Sequence, residues 1–355
     1  FYRRYGIQFL KKLDGEFAIS IWENTKEQLL LATDPFGIKP VYFSLTAQQL
    51  VWASSETAIN AITLHPFCGM TQSPTFRHSQ SIQTPYTSYS GIWLIPPGHY
   101  IIASRKGVYI SAYNSWNDGT YHSTDTKKTF EALEQSLFDR LQYSKSIAIP
   151  LSSGIDSGII AFMADRLKID YQIFTVDEMF NQKTVEAEYI YERLNKLKHA
   201  KNITMLKCNE PEYEDALNEI YAPDYYVSEK YDGGAIPMHT VIRAIHAAGL
   251  KVMIDGTGGD EIFHGYTFRK DFKRAEVLPA YWKNSYLYAT LTTLIDFTAK
   301  SDRAGAHFSI ESRYPFQTKK IFKAAANLAI MDTLKWPLRK FLLDRTNYGQ
   351  PNVVD

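Results

Sequence analysis

The sequence predicts an α/β protein: a parallel sheet flanked by helices, with a β-rich unit ahead of it. Three observations carry this prediction. The hydrophobic pattern changes near Thr129, from short strand-like runs to alternating helix and strand. Two apolar strands, at 147–151 and 251–255, each break into a turn rich in Gly, Ser or Thr that opens a helix. Strand, helix, strand in that order argues for a parallel sheet covered on both faces.

Taken in order, the elements divide the chain into three stretches. Residues 1–115 form the β-rich unit, with strand-like runs at 17–22, 29–32, 41–43 and 50–53. Turns punctuate them at Asp34-Pro-Phe-Gly37 and Pro96-Pro-Gly98. The segment 68–90, rich in Ser, Thr, Gln and Pro, reads as a long surface loop. Residues 116–128 are polar, lack periodicity and are expected to be a linker. From 129 to 355 the α/β pattern holds. Phe130, Leu133, Leu137 and Leu141 mark a helix leading into the strand at 147–151. A helix follows with Ile159, Ile160, Phe162 and Met163 as its stripe, then a strand at 171–176 and a helix through Ala187 and Leu194. A helix over 237–248 and a strand at 250–254 complete the predicted set.

Composition bounds the function. With 355 residues the chain is long enough for two domains, each with its own core. A hydrophobic share of 45% with 22% charged residues is ordinary for globular proteins, and no apolar run approaches a membrane span. A net charge of +1 gives no electrostatic case for nucleic acid or an anionic membrane as partner. Cys68 and Cys208 make neither a disulfide framework nor a Cys-x-x-Cys metal pair, which leads us to expect a soluble cytoplasmic protein. The 24 Tyr and 20 Phe show no stacking motif and read as packing.

The chemistry is concentrated in the two turns. In Pro150-Leu-Ser-Ser-Gly-Ile-Asp-Ser-Gly158, backbone N–H groups and the hydroxyls of Ser152, Ser153 and Ser157 converge where a helix starts. Such a turn suits a phosphate or pyrophosphate, although a capped strand-to-helix turn needs no ligand. Asp156 repels phosphate unless Mg²⁺ lies between them. The second turn, Gly256-Thr-Gly-Gly-Asp-Glu261, allows close backbone approach to a ligand, and Asp260 could complete a Mg²⁺ site with Asp156. Taken alone, Asp260-Glu261 at a helix start is more often a plain dipole-favourable cap; the pairing with the first loop favours the metal site.

The first turn resembles the Ser-Gly-Gly-x-Asp-Ser loop of the N-type ATP pyrophosphatases, with Ser153 replacing the first glycine. That exchange is mild if the backbone keeps a negative φ there. Together with the second turn, with Glu311-Ser-Arg-Tyr-Pro-Phe316 and with Lys335-Trp-Pro-Leu-Arg339, it resembles the asparagine synthetase family along nearly the whole chain. Leu13-Asp-Gly-Glu-Phe-Ala18, Asp34-Pro-Phe-Gly-Ile-Lys-Pro40, Ala53-Ser-Ser-Glu56 and Pro96-Pro-Gly-His99 are similar to the later part of that family's Ntn-type glutaminase domain. The resemblance implies a partial glutaminase domain over 1–115 without its nucleophilic cysteine, followed by an ATP-pyrophosphatase synthetase domain. The chain is thus expected to be a fragment, or a protein that has lost glutamine hydrolysis.

The same resemblance implies ATP-dependent adenylation of a carboxylate, release of pyrophosphate, and capture of the acyl group by ammonia or an amine. Ser152, Ser153, Gly154, Asp156 and Ser157 would hold pyrophosphate, with Gly256 and Gly258 in the second nucleotide loop and Val176 against adenine. Asp156 and Asp260 would bind Mg²⁺, and Lys335 would neutralise phosphate charge as the catalytic residue. Arg339 and the Glu311–Arg313 pair read as structural. Aspartate is the expected substrate, and a homodimer the expected assembly. Thr257 departs from the pattern: asparagine synthetases usually carry glutamate there, and threonine is no base near neutral pH. A lactam- or macrolactam-forming ligase of the β-lactam synthetase or lasso-peptide cyclase type therefore stays open, as does a nucleotide-binding scaffold without turnover. Sulfur transfer to tRNA would want reactive cysteines and a basic face, which the chain lacks.

Overall fold

The computed structural model describes residues 1–68, 84–114, 116, 125–141, 146–220, 234–263, 265, 294–295, 297–326, 328 and 335–346. The chain divides into two units, one built mainly on Phe1–Asn117 and the other on Asp118–Tyr225, Asp232–Tyr286 and Lys300–Asp355.

In the first unit, Leu29 to Ala32 are apolar without interruption because their strand is covered on both faces. Strands β1 (Ala18–Glu23), β2 (Gln28–Thr33), β6 (His99–Ser104) and β7 (Gly107–Ala112) form an antiparallel sheet in the order β1-β2-β6-β7. A smaller sheet orders β4 (Leu50–Ala53), β3 (Tyr42–Leu45) and β5 (Trp93–Leu94). Leu29 and Leu31 pack with Val41, Phe43, Ile95 and Ile101, whereas Leu30 and Ala32 pack with Phe9, Leu10 and Tyr113. Successive side chains point to opposite faces, so one strand feeds two cores.

At the end of β2 the fully buried Asp34 organises the turn. Its Oδ1 accepts the N–H groups of Phe36 (3.0 Å) and Ile38 (3.1 Å), and its Oδ2 accepts that of Lys39 (2.9 Å). The β-rich expectation holds, with two departures. The helix Glu56–Thr63 buries Ile59 against Tyr42 and Ile92, and short helical turns occupy 2–12. Most of the expected 68–90 loop lies outside the described residues, as does most of the 116–128 linker; the next helix begins at Lys127, inside that linker.

The second unit is the parallel sheet. Strands β8 (Ile147–Pro150), β9 (Tyr171–Met179), β10 (Gln182–Lys183), β11 (Ala200–Cys208), β12 (Val252–Ile254) and β13 (Glu311–Arg313) make one sheet. Its order is β10-β9-β8-β12-β13, with β11 also paired to β9; only the β9–β10 hairpin is antiparallel. Ala148 on β8 pairs with Gln172 on β9 and with Met253 on β12.

The helix Ala235–Ala247 covers one face, where Val241, Ile242 and Ile245 pack with Ala148, Phe174 and Met253. Ile147 and Ile149 alternate to the other side of β8 and are also fully buried. In the helix Ile155–Arg166, every residue from Ile155 to Ala164 is buried, which is why the stripe read from sequence is so broad. From β8 the chain runs outward through β9 and β11, then returns to β12 and β13 on the other side of β8. The carboxyl ends of β8 and β12 therefore flank the point where the winding reverses, the place where open α/β sheets bind ligands.

Candidate active site

The first turn is held by its own hydroxyls. Ser157 Oγ accepts the Ser152 N–H at 3.1 Å and lies 3.0 Å from Ser152 Oγ, which in turn accepts the Gly154 N–H at 3.1 Å. Ser153 lies outside the positive-φ region, so replacing the pattern's glycine imposes no backbone strain. Gly154 is the N-cap and supplies no side chain to the first helical N–H groups, as an anion-binding turn requires.

Beneath the turn runs a group that the sequence reading missed. Arg193, 2% exposed, donates from Nη1 to the carbonyls of Ser152 and Gly154, both at 2.6 Å. A signal for it existed. Arg193 follows Ala187 and Ile190 on the buried face of the helix Ala187–Leu194, where a cation is out of place without a partner.

The second turn closes against the first. Gly258 adopts φ 108, open to glycine, and its N–H donates to Glu261 Oε2 at 3.0 Å. A Cβ on Gly259 would stand 2.3 Å from the Asp156 carboxylate, and one on Gly256 would stand 3.1 Å from Ser157 N. The Gly-Thr-Gly-Gly string thus brings two backbones together. The adjacent acids divide the work: Glu261 caps its short helix, while Asp260 turns toward Lys335.

Lys335 joins the two loops. Its Nζ lies 2.7 Å from Asp156 Oδ2 and 2.8 Å from Asp260 Oδ1. The residue sits in the left-handed region at φ 51, immediately before the helix Trp336–Thr346. That conformation is strained for a lysine, and it recurs where structure is committed to a site. Phe341 of the following helix stacks edge-on against Phe130 at 5.2 Å, which fixes the lysine's support. Burial pushes the Asp156 carboxyl up to about 7 against the pull of the Lys335 ammonium, and Asp260 and Glu261 push the same way. Burial alone would lower Lys335, but the two carboxylates outweigh it and hold the ammonium above its usual range. Asp156 Oδ1 is buried and has no hydrogen-bond partner among the described residues. A second carboxylate and an unused buried oxygen beside it are the donor set a hard divalent cation takes.

Thr257 is tied back rather than presented. Its N–H and its Oγ1 both donate to Asp255 Oδ1 at 2.9 Å, and Ser301 Oγ donates to the other oxygen of Asp255. Val176 stands apart from the two loops' polar network, packed against the apolar cluster of Phe174 and Met253. Arg313 bonds Glu311 Oε1 and the carbonyl of Arg140, both at 2.8 Å, the structural use expected of that pair.

Two loops at the reversal of a parallel sheet, with paired carboxylates on one lysine, define an α/β domain of the ATP-pyrophosphatase class. Residues 128–290 match the asparagine synthase family model, and residues 1–114 match the glutamine amidotransferase domain. The chain thus carries, in order, a glutamine amidotransferase domain over residues 1–114 and an asparagine synthase domain over residues 128–290.

Among its relatives is the glutamine-hydrolysing asparagine synthetase of Zea mays, 27% identical over 92% of this chain and 52% of its own. Asparagine synthetase B of Escherichia coli is 23% identical over 94% of this chain and 57% of its own. Amidase chyE of Penicillium rubens is 28% identical over 76% and 43%. The chain spans about half the length of these curated relatives. The solved NAD+ synthetase of Burkholderia pseudomallei aligns at a TM-score of 0.28 and 16% identity, over 54% of this chain and 93% of that one, too weakly to carry an argument. Among the described residues, no helix is long and apolar enough to cross a membrane.

Proposed function

We propose that this protein is an ATP-dependent amidoligase of the asparagine synthetase type, serving asparagine biosynthesis in the cytoplasm. The observation that carries the proposal is the pairing of Asp156 and Asp260 on Lys335, with Asp156 Oδ1 left over, at the reversal of the sheet.

In this reading a substrate carboxylate oxygen, most simply that of aspartate, bonds to the α-phosphorus of ATP. The bond from that phosphorus to its bridging oxygen breaks and pyrophosphate leaves. Ammonia or an amine then bonds to the acyl carbon, loses a proton, and AMP departs. Ser152, Ser153, Gly154 and Ser157 would cradle the pyrophosphate, Gly256 and Gly258 would let the second loop approach the nucleotide, and Val176 would meet adenine through its backbone. Asp156 and Asp260 would hold Mg²⁺, which when bound neutralises charge on the leaving pyrophosphate. Lys335 would then turn from the carboxylates to the phosphate oxygens that gain charge in both steps. A homodimer and the absence of a nucleic-acid partner belong to the same proposal.

A second reading is favoured by Thr257. With its hydroxyl donated to Asp255, no side chain at this position can take a proton from an incoming amine. A substrate whose own amine closes a lactam or macrolactam would need less help at that position, and relatives named amidases stand at similar identity.

ATP–pyrophosphate exchange tests the proposal. Exchange that requires aspartate and is abolished by Asp156→Asn supports the first reading, and exchange only with another carboxylate supports the second. Nucleotide binding with no exchange under any carboxylate would leave a scaffold.

A further inference from the structure

We infer that Arg193 is the positioning residue of the pyrophosphate turn: it pins two carbonyls beneath the loop and so aims two N–H groups at the anion above it. The inference rests on the reading that Ser152 to Ser157 cradle pyrophosphate.

The argument begins with the peptide unit. A planar trans peptide points its C=O and its N–H in opposite directions. The Ser152 carbonyl shares its unit with the Ser153 N–H, and the Gly154 carbonyl shares its unit with the Ile155 N–H. Arg193 Nη1 takes both carbonyls at 2.6 Å from the buried side. The N–H groups of Ser153 and Ile155 must then face the other way, and neither has an acceptor among the described residues. The alternate N–H groups are already used inside the turn, Ser152 on Ser157 Oγ and Gly154 on Ser152 Oγ. The turn thus sorts its donors: two are spent on its shape and two are presented.

Space has been kept for this guanidinium. A Cβ on Gly158 would stand 3.3 Å from Arg193 Cζ, closer than a side-chain carbon comfortably sits. A neutral donor could satisfy the same carbonyls. A buried cation adds positive potential directly under the place where a polyanion would rest, where low dielectric strengthens it. Holding the donors in place beforehand also spares the anion the cost of ordering them.

The test is calorimetric titration of the full chain with magnesium pyrophosphate and, separately, with AMP, for the native protein, Arg193→Lys and Arg193→Met. Arg193→Met should weaken pyrophosphate at least about tenfold, the loss of a charge-assisted pair of bonds. AMP should bind as before, and Arg193→Lys should fall between. Unchanged pyrophosphate affinity in Arg193→Met overturns the inference and leaves the nucleotide reading standing. Equal loss of pyrophosphate and AMP makes Arg193 a packing residue and also overturns it. Failure of the native protein to bind pyrophosphate at all removes the nucleotide reading itself.

Amide resonances of the native protein give the answer even if the variants do not fold. The Ser153 and Ile155 N–H signals should shift on adding magnesium pyrophosphate. If they stay still while neighbouring amides move, Arg193 does not aim them.

Discussion

Lys335 and Asp156 stand 179 positions apart in the chain, yet their charged ends meet at 2.7 Å, and Asp260 reaches the same ammonium at 2.8 Å. The pair joins the first turn of the helix Ile155–Arg166 to the start of the helix Trp336–Thr346, so the proposed chemical site is also a tertiary contact.

Lys335→Met should separate these roles. Removing the ammonium leaves Asp156 buried and facing a second carboxylate, a loss of about 3–5 kcal/mol if both stay ionised. Exchange activity should fall at least about a hundredfold, because the charge forming on phosphate oxygens loses its partner. Saturating Mg²⁺ should restore much of the melting temperature without restoring exchange, which thermal melts with and without the ion would reveal.

Gly259→Ala should abolish pyrophosphate binding. The new methyl would lie 2.3 Å from the Asp156 carboxylate, so one of the loops must retreat, at about 1–3 kcal/mol. Ser153→Gly is the contrasting case. Because Ser153 already has a negative φ, the change removes no strain and should cost only about 0.5–1 kcal/mol in added chain freedom. Titration with pyrophosphate and urea melts of both variants would check the contrast.

Thr257→Val tests which chemical step the threonine serves. The substitution removes one of two bonds to Asp255 Oδ1, worth about 1 kcal/mol of stability, and leaves the backbone bond in place. Exchange should persist, since the hydroxyl faces Asp255 and is not among the groups assigned to pyrophosphate. Loss of exchange with an unchanged melting temperature would count against that assignment.

The pH response should carry a signature of His239. Burial holds its imidazole below the usual histidine range, although Glu219, 2.6 Å from Nε2, pulls the other way. The unfolded chain takes up this proton near pH 6.5, while the folded protein resists it. Stability from this group is therefore complete above about pH 6.5 and lost as the pH falls through the lower folded value. Urea melts between about pH 7.5 and 5 should show the decline, and His239→Asn should flatten it.

Much of this was legible because the two loops announce themselves. Both β8 and β12 are apolar on both faces, and each ends in small or hydroxyl residues whose spacing fits a ligand. Asp156, Asp260 and Lys335 stand out separately in the sequence, and the structure brings them onto one ammonium. What was not legible depended on distance or on exposure. Strand β11 (Ala200–Cys208), beside β9, is exposed over residues 201–203, half-buried over 204–206 and fully buried only at Cys208, so it shows neither an alternating pattern nor a buried apolar run. Strands β6 and β7 escape the strand pattern, as does the helix Glu56–Thr63, whose inward anchor is chiefly Ile59. Arg193 escapes because its partners are main-chain carbonyls, which have no sequence of their own. Residues 264 and 266 of the second motif lie outside the described residues.

Strand β2 leaves one question that hydrophobicity cannot answer. Sliding it by one residue would exchange its two apolar sets between the two cores, swapping leucine for leucine at Leu29, Leu30 and Leu31. The slipped pairing would be nearly as greasy as the native one. Asp34 tells them apart, since only the native alignment brings its Oδ2 within reach of the Phe17 N–H (3.4 Å) and sets its main chain on the Phe17 carbonyl and the Gly98 N–H (both 2.9 Å). One acid at the strand's end acts as the reading-frame marker for two hydrophobic layers.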